Sequence, residues 1–414
     1  MKPIQITAAS VFDNDRAPGY WILLVGTPAF LALAFALIVP LTAPQPAYLR
    51  YAQEYVNTGH IAETVFPMEY SWLAGLSIKA FGPSGLELLG AALYLLITIS
   101  VWALARKGGA TARNALFAAL AAAIYPRLAE GVTKVWDVEL AVLLMVLLMF
   151  CTVSLLRHGL QPSRVFTLAV VFGLSIAQRS NLLMLFPLPL YFCFMSAGTW
   201  RRKMSALVFG GVLSVLVLVA VNTLAHGSFF LSQNGPYNFV QGHNEFSSEV
   251  MLRESTSEPS VQLILSADGM APVDEADEGD PTLQRYFVKR AFAYMRAHPM
   301  EEVKLIPVKI WTVFRPDVRL HRGLSPSSAL IVCMSLILPA WLLVLLRKYA
   351  RTGFDSLDWT FIAAFALYVL PFLLTACDPR HQIPIEICLL SHMACMAGKS
   401  SRRAALTVET VGAT

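Results

Sequence analysis

Residues 200–225 read "WRRKMSALVFGGVLSVLVLVAVNTLA", three basic residues followed by a run with no charged side chain as far as Ala225. As helix, such a run of roughly twenty residues crosses about 30 Å of hydrocarbon. The basic head marks the cytoplasmic end of a crossing.

Runs of the same kind recur on both sides of it, at 20–42, 83–105, 111–126, 137–156, 164–179, 182–198, 326–346, 357–376 and 382–398. With 203–225 they make about ten transmembrane helices, of which the third, fifth and sixth are short for a crossing. The composition agrees: of 414 residues 56% are hydrophobic and 14% charged, where soluble domains carry about 25% charged residues. The expected fold class is an all-α polytopic membrane protein. The net charge of +5 sits mostly beside the apolar runs, where it orients the chain and does not point to nucleic acid. The first nineteen residues include Asp13, Asp15 and Arg16 and no apolar core, so no cleavable signal peptide is expected there. Six cysteines fall in or beside apolar runs with no metal-type spacing and read as small hydrophobes.

Alternate loops differ in charge. "RKGGATAR", "RHGLQPSR", "WRRKM", "RKYAR" and "GKSSRR" lie on one side; the short loops opposite hold only Arg127 and Lys134, Arg179, and Arg380. The first group and both termini are therefore expected in the cytoplasm. Two outer-face pieces remain, and the chain divides into a membrane module 1–225 with an outer loop 43–82, an outer-face subdomain 226–325 of about a hundred residues, and a second membrane module 326–414. No cytoplasmic loop is long enough for a domain, so chemistry belongs at the outer face, away from nucleotides.

In the first outer loop, Tyr48, Leu49, Ala52, Tyr55 and Val56 share one helical face of residues 46–58, and Gly59 stops the helix. Residues 68–81 repeat the pattern and end at Gly82-Pro83. Both read as interfacial amphipathic helices, either plain anchors or binding surfaces. Ionisable residues at span ends weigh more, since lipid exposure costs about 2.5–3.5 kcal/mol each. Glu130, Lys134, Asp137 and Glu139 cluster before the fourth span; Asp137 and Glu139, two apart, point different ways on a helix. Arg179 and Arg380-His381 stand at other span ends, as snorkelling side chains or as a cationic phosphate site. The acidic run 274–280 lacks calcium-loop spacing and reads as solvated surface. Ala291, Tyr294 and Met295 share a helical face that stops at His298-Pro299, and a second helix runs to Pro316. The stretch "NGPYNFVQGHNEFSSE" (234–249) is polar, aromatic and rich in turn residues, a well-capped loop or the rim of a sugar site.

In this order the features resemble the GT-C-fold glycosyltransferases that use lipid-phosphate sugars, the protein O-mannosyltransferase and aminoarabinose-transferase group. The stretch "YLRYAQEYVNTGHIAETVFPMEYSWLAGLSIKAFG" looks like that family's first outer loop. "AQRSNLLMLFPLPL" is similar to its Arg-containing segment before a Pro-broken span, and "NGPYNFVQGHNE" to its Asn-Gly…Asn-Phe…Gly-Asn-Asn stretch. "RAHPMEEVKLIPVKIWTVFRP" and "RHQIPIEICLL" resemble its His-Pro…Lys segment and its final span. One departure stands out: where the family carries an acid just before the Tyr-containing helix, this chain has "TAPQPAY", with Gln45 nearest. Another carboxylate (Glu54, Glu63, Glu69 or Asp137) takes that role, or the chain is a divergent or inactive relative.

The resemblance implies a sugar donor on polyprenyl phosphate, in a bacterial inner membrane, with the site facing the periplasm. It asks for a carboxylate that deprotonates the acceptor hydroxyl and cations that hold the departing phosphate. On this chain those are Glu69 or Asp137 for the base, and Arg380, Arg179 and Lys134 for the phosphate. Tyr237, Asn238, His243 and Asn244 are assigned to sugar or acceptor contacts. The acceptor is a glycan, glycolipid or protein. No ligand pattern points to a metal, and the resemblance leaves a divalent ion open. An O-antigen-type polymerase or ligase is the nearest rival and would put arginines in the large loop; a flippase or transporter would put charges at mid-span.

Overall fold

The computed structural model of the chain describes residues 18–38, 41, 46–61, 69–196, 198–227, 234–253, 259–272, 280–314, 336–375 and 379–411. Gln45, Glu63, the acidic run 274–280 except Asp280, and the first part of the 326–346 span lie outside the described residues. Every regular element that is described is helical.

A π-helical stretch, Ile22–Gly26, leads into α1 (Thr27–Ile38). After it come α2 (Pro46–Thr58) and α3 (Glu69–Phe81), at the bounds that the periodicity predicts to within a residue. Gly82, at φ +68, ends α3, and after a single 3-10 turn the chain continues as α4 (Gly85–Lys107). Next come α5 (Ala112–Ala123), capped by Thr111 whose Oγ1 accepts from Asn114 N–H, the short α6 (Pro126–Glu130), and α7 (Val138–His158). Then follow α8 (Pro162–Gln178), α9 (Pro187–Met195) and α10 (Trp200–His226).

The segment after α10 contains α11 (Asn234–Gly242), α12 (Ser247–Arg253), α13 (Pro259–Ala267), α14 (Pro281–Ala297) and α15 (Pro299–Phe314). The last three elements are α16 (Ile337–Thr352), α17 (Ser356–Leu374) and α18 (Ile383–Val411). Among the described residues, four stretches are long and apolar enough to cross a membrane: Glu69–Lys107, Val138–His158, Trp200–His226 and Ser356–Leu374. Five shorter apolar helices accompany them.

Burial ranks these helices. In α7, 89% of the apolar window is inside the bundle, whereas in α10 the figure is 6%. So α7 is the central post, packed by α4, α8 and α18, and α10 is a peripheral helix leaning mainly on α8. That lean is close because a Cβ on Gly173 would stand 2.6 Å from the Ser214 carbonyl, and Ser214 Oγ donates to Ala169 O at 3.0 Å. Small residues and interhelical hydrogen bonds bring helices together where lipid removes the hydrophobic drive. The α2–α3 crossing uses the same device: a Cβ on Gly75 would lie 2.9 Å from Ala52 O.

Helices α11, α13 and α14 share a core of their own, formed by Tyr237, Val240, Val261, Ile264, Leu265, Leu283, Phe287 and Ala291. Residues 234–249 thus fold differently from the turn-rich rim expected of them. Asn234–Gly242 is helix, with Pro236 in its first turn, where a missing N–H costs nothing. Aromatic Tyr237 faces inward from it, ring to ring with Phe287 at 5.6 Å.

Candidate active site

Five elements converge where α7 begins. Asp137 stands just before α7, and Arg179 leaves the end of α8 in an extended conformation (φ −149, ψ 107), which turns its side chain back across the bundle. Arg179 donates from Nη2 at 2.8 Å and from Nε at 3.1 Å to the same oxygen, Asp137 Oδ2. Both residues are buried, at 9% and 4% exposure. Gln178 Nε2 reaches the Asp137 carbonyl at 3.4 Å. Tyr48 from α2 and Tyr368 from α17 both lie within electrostatic reach of Arg179. Tyr70 of α3 completes the wall, meeting Tyr48 edge to face at 5.9 Å and lying beside Trp136, Glu139 and Asp137. Asp137 Oδ1 makes no hydrogen bond within 3.5 Å among the described residues.

The two neighbouring acids do point apart, as expected. Glu139, 1% exposed, accepts from Trp136 Nε1 at 2.6 Å through Oε1, while its Oε2 has no partner among the described residues. Its carboxyl lies on the backbone of Gly131, where any Cβ would sit 1.6 Å from Oε1. Glu69 is buried at the first residue of α3, next to Tyr70. Lys134 pairs with Glu130 one turn back and lies 4.8 Å over the Trp136 ring. The backbone of Arg380 is in a 3-10 turn, Pro379–Gln382, but its side chain is outside the described residues. In the same turn His381 stacks on Phe372 at 4.4 Å.

A second polar cluster joins the α11–α12 turn and α15 to the end of α17. His243 Nδ1 is 2.6 Å from Glu302 Oε2, and His243 Nε2 is 3.3 Å from Lys309 Nζ and 2.9 Å from Leu374 O. Lys309, 1% exposed, also donates to Leu373 O at 3.1 Å. Burial, with the Lys309 ammonium adding to it, pushes the His243 imidazole below its usual value.

Of the four expected sugar contacts, then, His243 is clamped between helices and Tyr237 belongs to the loop core. Asn244 has its amide engaged on both sides: Nδ2 donates to Val240 O and Ser260 Oγ at 2.7 and 3.1 Å, and Oδ1 accepts from Phe246 N–H at 2.8 Å. Asn238 alone among them is half-exposed.

Sequence reasoning passed over Tyr70, Tyr368, Glu302 and Lys309. A lysine flanked by apolar residues in "LIPVKIW" is a signal that could have found the last, since a cation there needs partners. Also unforeseen is Tyr125 donating to Glu386 Oε2 at 2.6 Å, with Arg127 close to both. Among the described residues, no three His, Cys, Asp or Glu side chains gather as a metal site.

This arrangement of helices is similar to that of the archaeal oligosaccharyltransferase AglB from Archaeoglobus fulgidus, solved in complex with an inhibitory peptide and a dolichol-phosphate. The TM-score is 0.50 at 14% identity over 97% of this chain. The fold is that of the GT-C group. The chain spans about half of AglB, 52% of its length. ArnT from Cupriavidus metallidurans is similar at TM-scores of 0.44, bound to undecaprenyl phosphate, and 0.42, in the apo state. Identities are 13% and 14%, over 93% and 92% of this chain and 79% and 78% of ArnT. No family model and no curated protein matches the sequence.

Proposed function

We propose that this GT-C chain is a membrane glycosyltransferase that moves a sugar from a polyprenyl-phosphate donor to an acceptor hydroxyl at the outer face of a bacterial inner membrane. The observation that carries this reading is the buried Arg179–Asp137 pair, walled by tyrosines, at the meeting of the first outer loop and the span ends. In this reading the chain crosses ten times with both termini in the cytoplasm, and the pair faces the outside.

In the proposed reaction the acceptor oxygen attacks the anomeric carbon as the carbon–oxygen bond to phosphate breaks. The proton passes to a carboxylate, and the electron pair leaves on polyprenyl phosphate. Arg179 is held pointing inward by Asp137 Oδ2 and presents its remaining N–H donors to the phosphate, where an oriented guanidinium needs no reorganisation as charge develops. Arg380 is the second cation. Asp137 keeps Oδ1 for the acceptor hydroxyl, and Glu69 is the other candidate base. Asn238 offers an accessible amide for a sugar hydroxyl. No step is assigned to a metal.

The test is transfer from radiolabelled polyprenyl-phosphate sugar in membranes, by wild type and by Glu69→Gln, Asp137→Asn, Arg179→Ala and Arg380→Ala. Loss of at least about a hundredfold in Arg179→Ala and in one of the two acid variants is expected. Full activity in all four sinks the site assignment. A wild type that neither transfers nor hydrolyses any such donor sinks the enzyme reading itself.

A further inference from the structure

The far end of the bundle, away from Asp137, gathers basic groups around two turns, "RKGGATAR" (106–113) between α4 and α5 and "RHGLQPSR" (157–164) between α7 and α8. Neither turn contains an acid. Their cations are brought together and not spread out. Lys107 has Arg164 and Arg157 as electrostatic neighbours, and His158 has Lys107, Arg164 and Arg157.

The scaffold of this gathering is backbone. Arg157 Nη2 donates to Gly108 O at 2.5 Å, and Gly109, at φ +88, leaves room for it, since a Cβ there would be 2.7 Å from that nitrogen. Arg164 Nη1 donates to His158 O at 2.6 Å and to Gly159 O at 3.2 Å. Arg202, from the head of α10, donates to Leu160 O at 2.6 Å. A guanidinium carries five N–H donors, so Arg164 and Arg202 each hold a turn and keep donors for something else. Collecting like charges in one place raises the electrostatic energy of the folded chain unless an anion is supplied. His158 is exposed and Arg164 half-exposed, so an anion can reach the cluster.

We propose that this end binds the phosphate of an anionic phospholipid in the leaflet that faces it, the headgroup seated between the 106–113 and 157–164 turns. The position favours a lipid over a free anion. The cations sit at the ends of apolar helices, at headgroup depth, and Phe166, two residues beyond Arg164, is 52% exposed on the adjoining helix surface, where an acyl chain would lie. Basic groups clustered at span ends attract anionic lipid in this way. The site is independent of the glycosyltransferase reading.

The full chain in a neutral detergent provides the test, by thermal unfolding against phosphatidylglycerol, phosphatidylcholine and inorganic phosphate added separately. Phosphatidylglycerol is expected to raise Tm saturably, phosphatidylcholine and inorganic phosphate are not, and 0.5 M salt is expected to abolish the rise. Lys107→Gln/Arg164→Gln should weaken the apparent phosphatidylglycerol affinity by about thirtyfold, roughly fivefold for each basic group removed. The charge-keeping Lys107→Arg/Arg164→Lys should keep the response. No rise with phosphatidylglycerol, an equal rise with phosphatidylcholine, the same rise with inorganic phosphate, or a salt-insensitive rise each overturns the proposal. So does a neutral variant that titrates like wild type. Should that variant not fold, the salt and lipid comparisons on wild type still decide.

Discussion

Replacing Asp137 by Asn tests the centre of the site most directly. In the folded chain Asp137 Oδ2 receives two N–H donors from Arg179, at 2.8 and 3.1 Å, and the side chains are 6% and 9% exposed. Asn keeps the shape and an acceptor oxygen but removes the charge. The guanidinium, which does not deprotonate in proteins, is then buried uncompensated. Removing one partner of a buried pair costs about 3–5 kcal/mol. Arg179→Gln strands the acid instead and should cost less, about 2–3 kcal/mol, because a carboxyl can escape by taking a proton. Asp137→Asn/Arg179→Gln removes both charges, and two neutral amides in contact should cost about 1–2 kcal/mol. The cycle should therefore give a coupling of at least about 3 kcal/mol. Thermal unfolding of the four proteins in one detergent reads the stability side, and transfer from radiolabelled donor reads the other. Stability should largely return in the double variant, while transfer stays lost in all three. Single variants each costing under about 1 kcal/mol, or a double variant costing their sum, would show that the pair is not buried and coupled as described.

Acid should destabilise the His243 cluster. The folded value lies below the ordinary 6.5, so the unfolded chain binds the proton first, and the contribution is present above about pH 6.5 and lost as pH falls toward the folded value. Tm measured from pH 8 to 5 should fall more steeply in wild type than in His243→Asn; parallel curves would refute this. Gly131→Ala should destabilise by about 1–3 kcal/mol through overpacking, because the new Cβ meets Glu139 Oε1 at 1.6 Å although its φ of −62 suits alanine. Gly131→Ala/Glu139→Ala should recover most of that in the same melt. Asn244→Ala should loosen the turn between α11 and α12 by about 1–3 kcal/mol, read as faster amide exchange confined to residues 240–260.

The helices were legible where the cause is local. Residues 46–58 carry one apolar face at helical spacing and meet Gly59, and the structure gives Pro46–Thr58. His298-Pro299 separates two helical patterns, and the chain breaks there into Pro281–Ala297 and Pro299–Phe314. The stretch 234–249 misled because Asn, Gly and Pro mark turns by default, and only burial of Tyr237 and Val240 against Phe287 and Ile264 decides for helix.

The sequence by itself determined an apolar, helical, membrane-type chain, with its basic turns and the helices of residues 46–81 and 281–314, since these follow from composition and from periods of a few residues. It also placed Asp137 and Arg179 among the residues to watch. That these two meet across 42 positions, that Glu139 turns instead to Trp136, and that Lys134 turns back to Glu130 were decided only by how α7, α8 and the 131–136 loop pack. The clamp of His243 and Lys309 on the end of α17 is of the same kind, joining residues 66 positions apart. Local patterns fix which segments are helical; which charges become partners depends on the packing of segments far apart in the chain, and no local period encodes that.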